Sequence, residues 1–197
     1  MTPRLVLASA SPRRRALLAE WGVDHVVDAA EVDESFAAGE TLVAVTERLA
    51  AAKAATVARQ RADPKELVLG ADTLVALGAE ILAKPRDDAD ALRTLLALAG
   101  REVEVVTGIA LAGPGSADVV RAHARSVVVM RDFDAAEARA YVATGEPRDK
   151  AGSFAIQGEG RRLVRRIEGS LTNVVGLPRE VVLPLLAARG IVARPVA

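Results

Sequence analysis

ELVLGADTLVAL, residues 66–77, decides the fold class. Its apolar residues run together instead of alternating, and β-branched Val recurs, which is the pattern of a strand buried on both faces. One charge, Asp72, interrupts the run. A strand covered on both sides needs helices packed on its sheet, and helical patterns flank it. Upstream, residues 41–62 are Ala-rich with apolar positions at helical spacing, residues 12–21 read as a first helix, and residues 4–9 and 23–27 read as strands. Downstream, GAEIL (78–82) reads as a short returning strand, and residues 87–99 as a helix opening on Asp87 and Asp88 and ending before Gly100. Two strands follow over residues 102–113 and 117–130, joined by a turn at Gly113, Pro114 and Gly115. Asp134 and Glu137 form a capping-box pattern for a helix through Tyr141 that Gly145 stops, and a final helix runs from Pro178 to Gly190. The alternation predicts an α/β protein, with no repeat or linker that would split it.

Composition narrows the function classes. The 197 residues are 51% hydrophobic, enough for one substantial core in a single domain spanning 1–197. Lys plus Arg and Asp plus Glu are 26 each, so no global field draws the chain to nucleic acid or to an anionic membrane, and any anion site must be built locally. The absence of cysteine excludes thiol catalysis, disulfides and thiolate metal sites. The apolar run LVLA near the N-terminus is too short for an export signal, and no segment is long and apolar enough to span a membrane, so a cytoplasmic location is expected. His25 and His123 lack metal-ligand spacing.

The segment LASASPRRRALLAEWG (7–22) poses an electrostatic problem. Ser11 and Pro12 read as N-cap and first helical residue. Arg13, Arg14 and Arg15 then fall in the first turn, where the partial positive charge of the helix end disfavours cations. A negative partner is required. Successive helical residues project about 100° apart, so the three arginines cannot all point inward, and Arg13 with Arg14 are the expected pair. Helix-terminal amides beside guanidinium forks make a phosphate site, although GxxxxGK[ST], a helix-opening GxGxxG and HExxH are all absent.

Other polar residues interrupt apolar surroundings: Glu34, Lys53, Asp72, Lys84, Lys150 and Gln157. Only four of the 26 basic residues are Lys, which singles out Lys53, Lys84 and Lys150 further. A buried charge is costly unless paired, so these residues either share one site or form separate ion pairs. Gln157 either presents its amide to a ligand or is a satisfied core amide. In RRLVRRIEGS, Arg161, Arg162, Arg165 and Arg166 are expected on both faces of a strand, as a solvated edge or subunit contact and not a basic stripe.

SASPRRRALL, LAAAKA, GADTLV, ILAKPRDDADALRTLLALAG, VVTGIAL, DKAGSFAIQG and IEGSLTNVVGLP, in this order over nearly the whole chain, resemble the Maf family of nucleoside triphosphate pyrophosphatases. The resemblance implies an elongated two-lobed α/β fold with a central mixed sheet, related to the inosine triphosphatases, with a cleft between lobes and a homodimer. It implies cleavage of a nucleoside triphosphate substrate between the α and β phosphates with a divalent metal, Mg²⁺ or Mn²⁺. By motif position, Asp72 corresponds to the proton acceptor and Glu34 to the second acid, the two together holding the metal; Lys53 and Lys84 correspond to the site lysines. From the helix end itself, Ser11, Arg13 and Arg14 are expected to bind the substrate. Arg13, Thr73 and Gln157 match the residues tied to substrate choice in the branch acting on dTTP and UTP. One departure is Ala83 before Lys84, where the family more often has Gly. A second reading is a nucleotide-binding regulator of cell division whose hydrolysis is incidental; carboxylates beside a phosphate site favour the enzyme, because they help an anion binder only through a metal.

Two further expectations follow. The phosphate chain of the substrate is the negative partner of the arginine cluster, and replacing Arg13, Lys53 or Lys84 by Ala slows turnover while stability changes little.

Overall fold

The computed structural model describes residues 3–35, 37, 39–114 and 119–194. Gly115 of the expected Gly-Pro-Gly turn lies outside them. The elements are β1 (Arg4–Leu7), α1 (Pro12–Glu20), β2 (His25–Val27), α2 (Leu42–Ala58), β3 (Glu66–Leu77), β4 (Glu80–Leu82), α3 (Asp88–Leu98), β5 (Glu102–Ala112), β6 (Val119–Met130), α4 (Ala135–Val142), three short 3₁₀ turns, β7 (Val164–Glu168), α5 (Leu171–Val175) and α6 (Arg179–Ala187).

Helix starts follow local chemistry. Ser11, Thr41, Asp87 and Asp134 each cap a helix by accepting an amide two or three residues on. The expected box at α4 is only half made: Asp134 caps Ala136 and Glu137, but the Glu137 carboxylate turns to Arg131 at 3.1 Å. α2 stops at Ala58 and not at residue 62, tightened by the Gln60 amide on the Val57 carbonyl and the Arg61 amide on that of Ala58.

The sheet is mixed, in the order β2-β1-β3-β5-β6-β7, with β4 paired to β3. β1 runs parallel to β2 and β3, while β4 on β3 and β7 on β6 are antiparallel. β3 is one unbroken strand through Asp72, buried along most of its length as its composition requires.

The chain divides into two compact units. The first takes the residues up to 72, then 107–124 and those from 176 on; its core packs Val6, Ala8 and Val68 against Ala50, Ala54 and Val57 of α2. Two glycines permit this packing. A Cβ on Gly70 of β3 would stand 2.1 Å from the Ala50 carbonyl oxygen, and one on Gly108 of β5 would stand 2.3 Å from that of Thr46. α2 therefore lies with its backbone directly on the sheet, which is why small residues such as Ala50 and Ala54 stand at the closest approach.

The second unit takes residues 73–106 and 125–175. Its interior holds Leu95 and Leu98 of α3, Val105, Met130, Leu163 and the fully buried Tyr141. RRLVRR is not a single strand: Arg161 and Arg162 lie in the 3₁₀ turn Glu159–Leu163, and only Arg165 and Arg166 reach the edge strand β7. Local acids and carbonyls take up this charge, with Arg162 on Glu159 at 3.3 Å, Arg166 on Glu168 at 2.7 Å and Arg161 on the Val164 carbonyl at 2.8 Å. The short helix α5 is not among the expected elements, whereas α6 forms inside the expected 178–190 segment with Pro184 within it. Among the described residues no helix is long and apolar enough to cross a membrane.

Candidate active site

The first unit brings Glu34, Lys53 and Asp72 together. Lys53 leaves α2 toward β3, and its Nζ donates to Asp72 Oδ1 at 2.6 Å and to Glu34 Oε1 at 2.7 Å. Lys53 and Asp72 are buried, whereas the Glu34 side chain is 57% exposed, so this ammonium joins an interior carboxylate to a solvated one. The second Asp72 oxygen, Oδ2, is buried and has no hydrogen-bond partner among the described residues. A carboxylate oxygen left without a donor in the interior is expensive unless something external meets it.

The loop bearing Glu34 is held by a side chain that the sequence did not single out. Arg48 of α2 forks onto Glu40, at 2.9 Å from Nε and 2.8 Å from Nη2, and Nη2 also reaches the Ser35 carbonyl at 3.0 Å. Glu40 in turn accepts the Ala37 amide at 2.8 Å, and its carboxyl is held below its ordinary value first by the bonds from Arg48 and then by that amide. Both residues have polar neighbours in sequence and so do not interrupt an apolar run. A Glu eight residues before an Arg at the entry to a capped helix was the available signal.

The three arginines of α1 separate as expected: Arg14 is buried, Arg13 half-buried and Arg15 exposed. Arg14 is already engaged, donating from Nε to the Gly176 carbonyl at 2.8 Å and from Nη1 to Ser9 Oγ at 2.9 Å. Burial draws its guanidinium below the usual strongly basic range, Asp72 and Glu34 pull it back up, and Arg13 opposes them. Part of the negative charge that the arginine cluster requires is thus the protein's own, from Asp72 and Glu34. Arg13 makes no hydrogen bond or ion pair among the described residues. Ser11 is spent on the helix cap, its Oγ accepting the Arg14 amide at 3.4 Å.

Lys84, Thr73, Lys150 and Gln157 belong to the second unit. Lys84 is exposed after β4, and Thr73 is the half-buried residue following Asp72 on β3. The Ala83 carbonyl before Lys84 accepts the Gly152 amide at 3.3 Å. Lys150 pairs with Asp149 and reaches the Glu146 carbonyl at 3.4 Å. Gln157 is exposed, so it is not a core amide. The loop around it is built on Glu146, another residue that no sequence pattern marks, whose carboxylate accepts the Glu159 amide at 2.9 Å.

Residues 4–189 match the family model described as Maf-like protein. The chain belongs to the Maf family. It is 49% identical over 187 residues to a protein of Myxococcus xanthus (strain DK1622) named dTTP/UTP pyrophosphatase, a match covering 95% of this chain and 93% of that one. A Moorella thermoacetica (strain ATCC 39073 / JCM 9320) protein of the same name is 47% identical over 188 residues, covering 95% of this chain and 96% of its own. Among solved structures, a HAM1 protein from Coxiella burnetii is similar at 18% identity and a TM-score of 0.48, covering 83% of this Maf chain and 91% of that one.

Proposed function

We propose that this Maf protein hydrolyses dTTP and UTP between the α and β phosphates, releasing nucleoside monophosphate and pyrophosphate. The observation that carries the reading is the Glu34–Lys53–Asp72 group with its unmet Asp72 Oδ2, in a chain whose relatives are named for that activity.

The donor set fits a divalent cation. Oδ2 is a buried oxygen without a partner, a second carboxylate lies across the same ammonium, and hard oxygen donors suit Mg²⁺ or Mn²⁺. Among the described residues no cluster of three or more His, Cys, Asp or Glu gathers, so Asp72 and Glu34 would share the ion with water and phosphate oxygens, as magnesium commonly does. Bound there, the cation supplies neutralisation of phosphate charge and acidification of a water.

The chain's own residues supply the rest. Asp72 Oδ2 orients a water for attack on the α-phosphorus and accepts its proton. The bond from the α-phosphorus to the bridging oxygen breaks, and its electron pair leaves with pyrophosphate. Lys53 uses two of its three N–H donors on carboxylates and keeps the third for a phosphate oxygen. Arg13, unpaired among the described residues, takes phosphate charge, as does the exposed Lys84. Arg13, Thr73 and Gln157 choose the base: uracil and thymine present an N–H between two carbonyls, and a Gln amide matches one donor–acceptor couple of that edge. A cytoplasmic homodimer completes the proposal, on the family resemblance.

The test is to incubate the protein with Mg²⁺ or Mn²⁺ and a panel of triphosphates and to follow pyrophosphate. UTP and dTTP should be cleaved much faster than ATP, GTP or CTP. Equal rates on all of them would remove the pyrimidine assignment, and release of phosphate without pyrophosphate would remove the cleavage position.

A further inference from the structure

We infer that Glu146 is a positioning residue for base discrimination: its carboxylate closes the loop over residues 155–160 and fixes how Gln157 is presented. The inference rests on the reading of Gln157 as a base-recognition residue.

Gln157 stands exposed in a short loop tied down on either side of it. On the near side, the Ala155 amide donates to the Tyr141 hydroxyl at 3.0 Å, and burial, with the nearby Glu146 charge adding to it, holds that hydroxyl protonated. On the far side, the Glu159 amide donates to Glu146 Oε2 at 2.9 Å, with the Gly160 amide at 3.5 Å from Oε1. Tyr141 is fully buried, so one end of this network is fixed in the core. The Glu146 carboxylate therefore holds the far flank of Gln157 directly, while the buried Tyr141 holds the near one.

The glycines around Gln157 show how closely the loop wraps that carboxylate. A Cβ on Gly158 would lie 2.9 Å from Glu146 Oε1, and Gly158 has φ +95, a conformation that side-chain-bearing residues rarely adopt. A Cβ on Gly160 would lie 2.5 Å from the Tyr141 hydroxyl. The loop has no room to shift over its support. The charge is also matched to its donors, because a carboxylate only accepts and the groups that reach its two oxygens are the Glu159 and Gly160 backbone N–H groups. An amide in its place would turn an NH₂ toward at least one of those donors.

The experiment measures kcat and KM for UTP and CTP in wild type, Glu146→Gln, Gln157→Ala and the double variant. Glu146→Gln should raise the KM for UTP more than it lowers kcat. It should cut the UTP-over-CTP ratio of kcat/KM on the order of tenfold, the scale expected when a recognition group is misaimed. Glu146→Asp should recover part of the ratio. The double variant should lose no more discrimination than Gln157→Ala alone, because a support with nothing to aim has no further effect.

If Gln157→Ala lowers the ratio and Glu146→Gln does not, or if the two losses add, the inference is overturned while the base reading stands. If Gln157→Ala leaves the ratio unchanged, the base reading fails and takes this inference with it. Should Glu146→Gln not fold, Gly158→Ala crowds a Cβ to 2.9 Å from Glu146 Oε1, and an unchanged ratio in that variant overturns the inference equally.

Discussion

Gly70 lies so close beneath Ala50 that a single added methyl would sit 2.1 Å from the Ala50 carbonyl oxygen. Two positions beyond Gly70 stands Asp72, and three beyond Ala50 stands Lys53, so the contact that seats α2 on β3 also sets the 2.6 Å ion pair. Gly70→Ala should force the two backbones apart and destabilise the protein by ~3 kcal/mol or more, since the obstructing atoms cannot rotate away. Gly78→Ala is the control, having φ +61 but nothing within 4 Å, and should cost only about 1 kcal/mol. Denaturant midpoints compare them; equal losses would mean that close approach is not what Gly70 provides.

Lys53→Met should abolish most pyrophosphate release and also destabilise the fold by ~3 kcal/mol, because it leaves the buried Asp72 carboxylate without its counterion. For Lys53 the buried pair thus replaces the expectation of little stability change with a prediction of loss, whereas for the unpaired Arg13 little change stays the prediction. Asp72→Asn should retain the fold and lose ~10²- to 10⁴-fold in rate through its proton-accepting role. The double variant Lys53→Met/Asp72→Asn should regain much of the lost stability without regaining activity. If the double variant is less stable than Lys53→Met, the buried pair is not the source of the loss.

What the sequence made legible was local or compelled. The caps at Ser11 and Asp87 act within three residues, and the charge of Asp72 inside an apolar strand demands an account wherever the chain goes. Lys53 in an Ala-rich helix was conspicuous for the same reason. Contacts of long sequence separation were not legible: Arg14 meets the Gly176 carbonyl 162 residues away, and nothing near either residue announces it. Arg48, Glu40 and Glu146 escaped because charges among polar neighbours look like ordinary surface, whereas Arg48 and Glu40 pair with each other and all three with backbone groups that only the fold brings near.

Arg48 and Glu40 make a prediction about acid. The Arg48 bonds hold the Glu40 carboxyl below its ordinary value near 4.5, so their contribution is complete above that value and is lost as pH falls through the depressed one. The Glu34 loop should therefore stay ordered down to about pH 4.5 and loosen below it, read as faster amide exchange at Ala37. Arg48→Met should give fast exchange already at pH 7 and slow turnover by loosening Glu34. Arg48→Lys should recover little, since an ammonium cannot reproduce the fork. Slow exchange at Ala37 in Arg48→Met would show that the loop is held by something else.

Arg13 and Arg14 adjoin in sequence and should fail in opposite ways. Arg14 is buried, with Nε on the Gly176 carbonyl at 2.8 Å and Nη1 on Ser9 Oγ at 2.9 Å, so its planar fork ties the start of α1 to the entry of α6. Arg14→Lys preserves the charge but cannot satisfy both acceptors, and should cost ~1–3 kcal/mol of stability. Arg13 is half-buried and unpaired among the described residues, so the folded state gains little from it. Arg13→Ala should leave stability within ~0.5 kcal/mol of wild type. Its cost should fall on the triphosphate, as a higher KM and slower pyrophosphate release, because Arg13, unlike Arg14, holds no acceptor among the described residues and keeps its donors at a helix N-terminus for an anion from outside. Denaturant midpoints and steady-state rates on the same two variants separate the roles, and an Arg13→Ala protein that unfolds early while turning over UTP normally would reverse the assignment.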